Sequence, residues 1–175
     1  MPDAENQSIL LQRIAARIGD IAAGLQRPGR RHRIHRTQLQ LVVFVTAAED
    51  RRAGALGHDV KTLGQQQPLR STIQHEIYRL GREALVNAFY HSRAKHIDLE
   101  FDYTDSSLTM RVCDDGCGID PRVLDAGREG HWGLAGMRER ASRIGGLLKV
   151  SSSVTAGTEV RLSIPGGIAF QLSYS

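Results

Sequence analysis

The feature that most restricts this chain is the stretch KHIDLEFDY, residues 95–103. Ile97, Leu99, Phe101 and Tyr103 alternate with His96, Asp98, Glu100 and Asp102. A side-chain period of two puts the apolar set on one face of a β-strand and the charged set on the other, so this strand covers a core on one side only. TDSS at 104–107 carries turn chemistry. SLTMRVCD then alternates again through Leu108, Met110 and Val112. The two runs are expected to pair as an antiparallel hairpin, an arrangement that tolerates one wet face.

Something must cover the other face. Ile73, Ile77, Leu80, Ala84 and Ala88 recur every three or four residues, which predicts a helix over about 71–91. Leu134, Met137, Ala141 and Ile144 predict a second helix, ended by Gly145-Gly146. LLKVSSS reads as a strand, and TAGTEVRLSIP as a turn and a last strand with Val160, Leu162 and Ile164 inward. Between them, Asp120-Pro121 is an N-cap with proline at the first helical position, and GREGHWG at 127–133 is a flexible loop. Upstream, Ile9, Ile14, Ile18, Ile21 and Leu25 mark a helix over 8–26, LQLVVFVTA at 39–47 a short strand, and glycine-rich 48–70 a loop. The fold class expected is α+β: a two-layer sandwich, with a mixed, mostly antiparallel sheet and helices on one face. The chain divides into a helix and basic linker (1–38), a strand and loop (39–67), the core domain (68–165) and a loose tail (166–175).

Composition narrows the function. Hydrophobic residues are 41% of 175 and aromatics 5%, enough for one aliphatic core. The formal charge is +4, concentrated in RPGRRHRIHR at 27–36, which has five arginines and no acid. Without interleaved aromatics this run reads as a solvated linker, and a basic nucleic-acid-binding protein is the distant alternative. Cys113 and Cys117 are too few for a disulfide framework and lack a second pair at zinc spacing, so they are taken as reduced, small hydrophobes. No run of 18 apolar residues and no opening signal segment occurs. A cytoplasmic chain without a transmembrane segment is expected, or the cytosolic part of a membrane-anchored sensor.

Four groups of residues could carry chemistry. On the helix, Glu83, Asn87 and His91 are each about 40° apart, along one edge of the apolar stripe. In VCDDGCGID, Asp114 ends a strand, and Gly116 and Gly118 allow backbone to pass close to a flat ligand. An ionised carboxylate accepts but does not donate, so Asp114 suits an exocyclic amino group such as that of adenine. Gly130, Gly133 and Gly136 bracket a helix start, where backbone N–H groups and the dipole favour phosphates. Gly157-Thr158 opens the last strand.

The order of these groups resembles the nucleotide-binding domain of sensor histidine kinases, in the gyrase, chaperone, histidine-kinase and mismatch-repair ATPase superfamily. The resemblance covers about residues 68–165, and EIYRLGREALVNAFYHSRA and GHWGLAGMRERA look like the nitrate-sensor subclass. It implies a Bergerat-type fold binding ATP with Mg²⁺. Asn87 is then the magnesium ligand, Glu83 the catalytic residue that activates or orients the attacking group, and His91 a residue facing the phosphates. Asp114 receives the adenine amino group, Gly116 and Gly118 make room for the base, Gly130, Gly133 and Gly136 form the phosphate lid, and Thr158 supports the adenine pocket. The implied partners are a phosphoacceptor dimerisation domain and a response regulator. Helix 8–26 is read as a remnant or one arm of such a domain. LGHDV at 56–60 is superficially like an acceptor sequence, but the glycines around His58 oppose a long helix, and His58 is expected in a loop. A non-catalytic ATP-binding regulator and an anti-sigma-type serine kinase are the alternatives.

Overall fold

The computed structural model describes residues 57–119, 132–154 and 156–171. The expected helix 8–26, basic run 27–36, strand 39–47 and short helix from Asp120 lie outside the described residues.

The elements are β1 (Gly57–Gly64), α1 (Ser71–His91), β2 (His96–Tyr103), β3 (Ser107–Asp114), α2 (Trp132–Arg143), β4 (Leu147–Ser153), β5 (Gly157–Pro165) and a one-turn helix α3 (Gly166–Ala169). The five strands lie in the order β1-β2-β3-β5-β4. Only β1 and β2 are parallel, with α1 as the crossover between them. The other neighbours pair antiparallel, so the sheet is mixed and mostly antiparallel, as expected.

Alternation decides which face of the sheet is dry. Ile97, Leu99, Phe101 and Tyr103 stand opposite Asp114, Val112, Met110 and Leu108 on β3. Val112, Met110 and Leu108 in turn oppose Val160, Leu162 and Ile164 on β5. All but Asp114 are buried. The α1 stripe of Ile73, Ile77, Leu80, Ala84, Leu85, Ala88 and Phe89 closes over them, joined by Met137 and Ala141 of α2. Gly81, Ala84 and Ala88 keep the stripe thin, which lets the helix lie low on the sheet. The other face is a charge ladder. Arg111 bridges Glu100 on β2 and Glu159 on β5, both at 3.3 Å. His96 lies 3.6 Å from Asp59 and 3.5 Å from Asp98, and Lys61 lies 3.6 Å from Asp98. Among the described residues no helix is long and apolar enough to cross a membrane.

Two expectations need correction. Residues 57–64 are a strand rather than part of a loop. The pattern there is faint, because Val60 is the one aliphatic residue on its inward side. Pairing with β2 supplies what the local sequence lacks, with Val60 beside Leu99. His58 therefore lies on a strand, beside Ile97. The second correction is the tail, whose described part is packed. Arg70 N–H donates to Ala169 O and Gln171 N–H to Pro68 O. The Arg70 guanidinium donates to Phe170 O and Gly167 O, both at 3.0 Å. Ala169 and Phe170 are buried, and the Phe170 ring stacks on Tyr103 with centroids 6.3 Å apart.

Candidate functional site

A cavity of about 460 Å³ opens between α1, α2 and the inner face of β3 and β5. That is within the ordinary range for small-molecule sites. From α1 come Glu83, Asn87 and His91, which the 3.6-residue repeat puts on one side of the helix, at the margin of its buried stripe. Val112 and Val160 supply an apolar floor, and Asp114 and Thr158 stand at the paired ends of β3 and β5. Gly118 and Ile119 follow from the loop after β3, and Gly133 and Leu134 from the start of α2.

Asp114 is half-buried because its strand ends where the sheet passes under the cavity. Its Oδ1 accepts the Gly116 N–H at 3.0 Å, and its carboxylate also takes the Thr158 N–H. Burial pushes the Asp114 carboxyl above its ordinary value, and these two N–H groups pull it partly back. Gly118 has φ +68, and a Cβ there would lie 2.2 Å from Ser153 O, so only glycine fits. Among the described residues the Glu83 carboxylate and Asn87 carboxamide take no hydrogen bond, although both are only partly exposed.

Eight of the sequence-derived site residues thus come together or adjoin. Glu83, Asn87, His91, Asp114, Gly118, Gly133 and Thr158 line the cavity, and Gly116 binds Asp114 from the loop beside it. Gly136 does not line it; it lies on α2 one turn beyond Gly133. Gly130 lies outside the described residues. Sequence reasoning passed over Ser152, whose Oγ accepts the Ile119 N–H at 2.7 Å, donates to Gly157 O at 3.0 Å and bonds the Thr158 hydroxyl at 3.0 Å. A serine within SSS offers no local signal for that task. Val112 and Val160 were visible as inward strand positions but not as cavity floor.

A half-buried acceptor over an apolar floor faces a carboxylate and a carboxamide on a neighbouring helix. Residues 72–168 match the family model "Histidine kinase-, DNA gyrase B-, and HSP90-like ATPase", and the chain belongs to that family. It is similar to sensor histidine kinase LiaS of Bacillus subtilis, 32% identical over 101 residues, covering 58% of this chain and 27% of LiaS. It is also similar to the nitrate/nitrite sensor protein NarX of Escherichia coli, 30% identical over 131 residues, covering 73% of this chain and 21% of NarX. LiaS and NarX appear side by side, so the nitrate-sensor likeness is a loose one. Among solved structures, the histidine kinase domain from the Erythrobacter litoralis EL346 blue-light activated kinase shares the fold. Its TM-score is 0.62 at 23% identity, over 93% of this chain and 80% of that one. The family assignment expected from motif order therefore holds: the chain carries an ATPase domain of this family, similar to those of sensor histidine kinases. The chain spans about a quarter of the length of these curated relatives.

Proposed function

We propose that the cavity binds ATP with Mg²⁺ and directs the γ-phosphoryl group to a histidine on a separate dimerising helical domain. From there the group passes to a response regulator, all on the cytoplasmic side. The observation that carries this is the joint lining of one cavity by Asn87, Glu83 and Asp114. Asp114 accepts the adenine amino group while Val112 and Val160 pack against the ring. Asn87, whose carboxamide takes no hydrogen bond among the described residues and has a carboxylate one turn away, suits a hard cation that prefers oxygen ligands. When bound, the ion neutralises charge on the phosphates. His91 adds a donor at the same end of α1. Glu83 orients or deprotonates the attacking group. Gly133, beside Glu83, belongs to the lid.

The test is titration of the full chain with ATP and Mg²⁺. Asn87→Ala is expected to lose the metal-dependent part of the affinity, and Asp114→Ala the preference for adenine over guanine. Transfer is tested with γ-labelled ATP and an added dimerisation domain. Acid-labile, base-stable label that Glu83→Gln abolishes supports catalysis. Binding without label in any such pairing favours a non-catalytic regulator.

A further inference from the structure

Beside Asp114 in VCDDG stands a second carboxylate, and its contacts lead away from the cavity. Asp115 Oδ1 accepts two consecutive backbone N–H groups, from Lys95 at 2.7 Å and His96 at 2.8 Å. The Asp115 N–H donates to His96 O at 3.2 Å, and the Cys117 N–H to Ser92 O at 2.7 Å. These four hydrogen bonds join the loop 114–118 to the turn 92–96. That turn follows directly on α1, whose last two turns carry Asn87 and His91 into the cavity. The approach is so close that a Cβ on Gly116 would lie 2.2 Å from Ser92 O.

The turn is held in a conformation that a free chain avoids. Arg93 has φ +57, the one positive value outside glycine among the described residues. Such a residue persists only where its surroundings over-determine it. The buried Ser92 hydroxyl does part of this, donating to Ala88 O and accepting the Ala94 N–H. Asp115 secures the next two residues.

We propose that Asp115 is a positioning residue for nucleotide binding: by clipping the loop 114–118 to the turn 92–96, it fixes the Asp114 carboxylate relative to Asn87 and His91. The inference rests on the cavity being the ATP site. Asp115 touches no nucleotide; it acts through the N–H groups of Lys95 and His96. A carboxylate suits the task because one oxygen can accept both. An asparagine oxygen can do the same more weakly, and alanine cannot.

The test compares Mg-ATP affinity of the full chain with that of Asp115→Ala, Asp115→Asn, Arg93→Gly and the double variant Arg93→Gly/Asp115→Ala. Asp115→Ala is expected to bind about tenfold more weakly, and Asp115→Asn within about threefold of wild type. Arg93→Gly should recover most of the loss in the alanine background, because glycine holds φ +57 unaided. Amide exchange at Lys95 and His96 in nucleotide-free protein reads the clip independently, and quickens in Asp115→Ala. Equal affinity in wild type and Asp115→Ala would overturn the positioning role alone. So would a loss that neither asparagine nor Arg93→Gly recovers. Wild-type protein that binds no adenine nucleotide would overturn the ATP site itself, and this role with it.

Discussion

Gly133 of α2 stands against Glu83 of α1: a Cβ on the glycine would lie 3.2 Å from Glu83 Oε1. One turn on, a Cβ on Gly136 would meet nothing within 4 Å. The two glycines, alike in the sequence, therefore differ in what they permit. Gly133→Ala pushes the Glu83 carboxylate by a few tenths of an ångström, and misplacing a reacting group is costly to rate. Phosphoryl transfer to an added acceptor domain should fall about tenfold, with ATP affinity changed less than about threefold. Gly136→Ala should leave both unchanged and stabilise the helix by about 0.5–1 kcal/mol, read by urea unfolding. Loss of nucleotide binding in Gly136→Ala would instead return that residue to the phosphate lid.

Asp114 and Asp115 should show opposite pH signatures in the nucleotide-free protein. Burial raises the Asp114 carboxyl, so the folded state disfavours its ionised form. The penalty is absent below the unfolded value of about 4 and is complete once pH exceeds the raised folded value. Asp114→Asn should therefore be more stable than wild type at neutral pH, with the difference vanishing in acid. The Asp115 carboxyl is held low, first by the His96 N–H and then by the Lys95 N–H. Its contribution is present above the unfolded value and lost as pH falls through the folded one. Asp115→Asn should be the less stable protein at neutral pH, again converging with wild type in acid. Thermal melts of the three proteins across pH 3–8 check both signs.

The two cysteines should separate by reactivity. Burial pushes the Cys113 thiol up to about 11; the Arg111 charge opposes this, and Glu159 adds to it. Cys117 is exposed. At neutral pH the thiolate is the reacting form, so iodoacetamide should label Cys117 at least about tenfold faster than Cys113. Mass spectrometry of the labelled peptides gives the ratio.

The tail should matter to stability. Phe170 is 6% exposed, packs on Tyr103 and bridges Leu69. Phe170→Ala should cost about 3 kcal/mol in chemical denaturation. A loss below about 0.5 kcal/mol, the size of an ordinary surface change, would mean the tail does not pack this way in solution.

Much of the domain was legible because its signals are local. The alternation of 96–103 and 107–114 and the helical stripe of 71–91 each state their own period, and the structure has all three elements. Glu83, Asn87 and His91 could be grouped because helix geometry alone sets their spacing. β1 and the tail were missed for one reason: each takes its stability from a partner distant in the chain. Val60 needs Leu99, and Phe170 needs Tyr103 and Leu69.

By itself, then, the sequence determined the type of most elements, the dry face of the sheet and the family. Those follow from side-chain periods and motif order, which a linear chain displays openly. Only the tertiary structure decided that Asp114 turns its carboxylate to Gly116 and Thr158 at the cavity while its neighbour grips Lys95 and His96. Two adjacent aspartates are chemically identical until the fold sets different N–H groups before each.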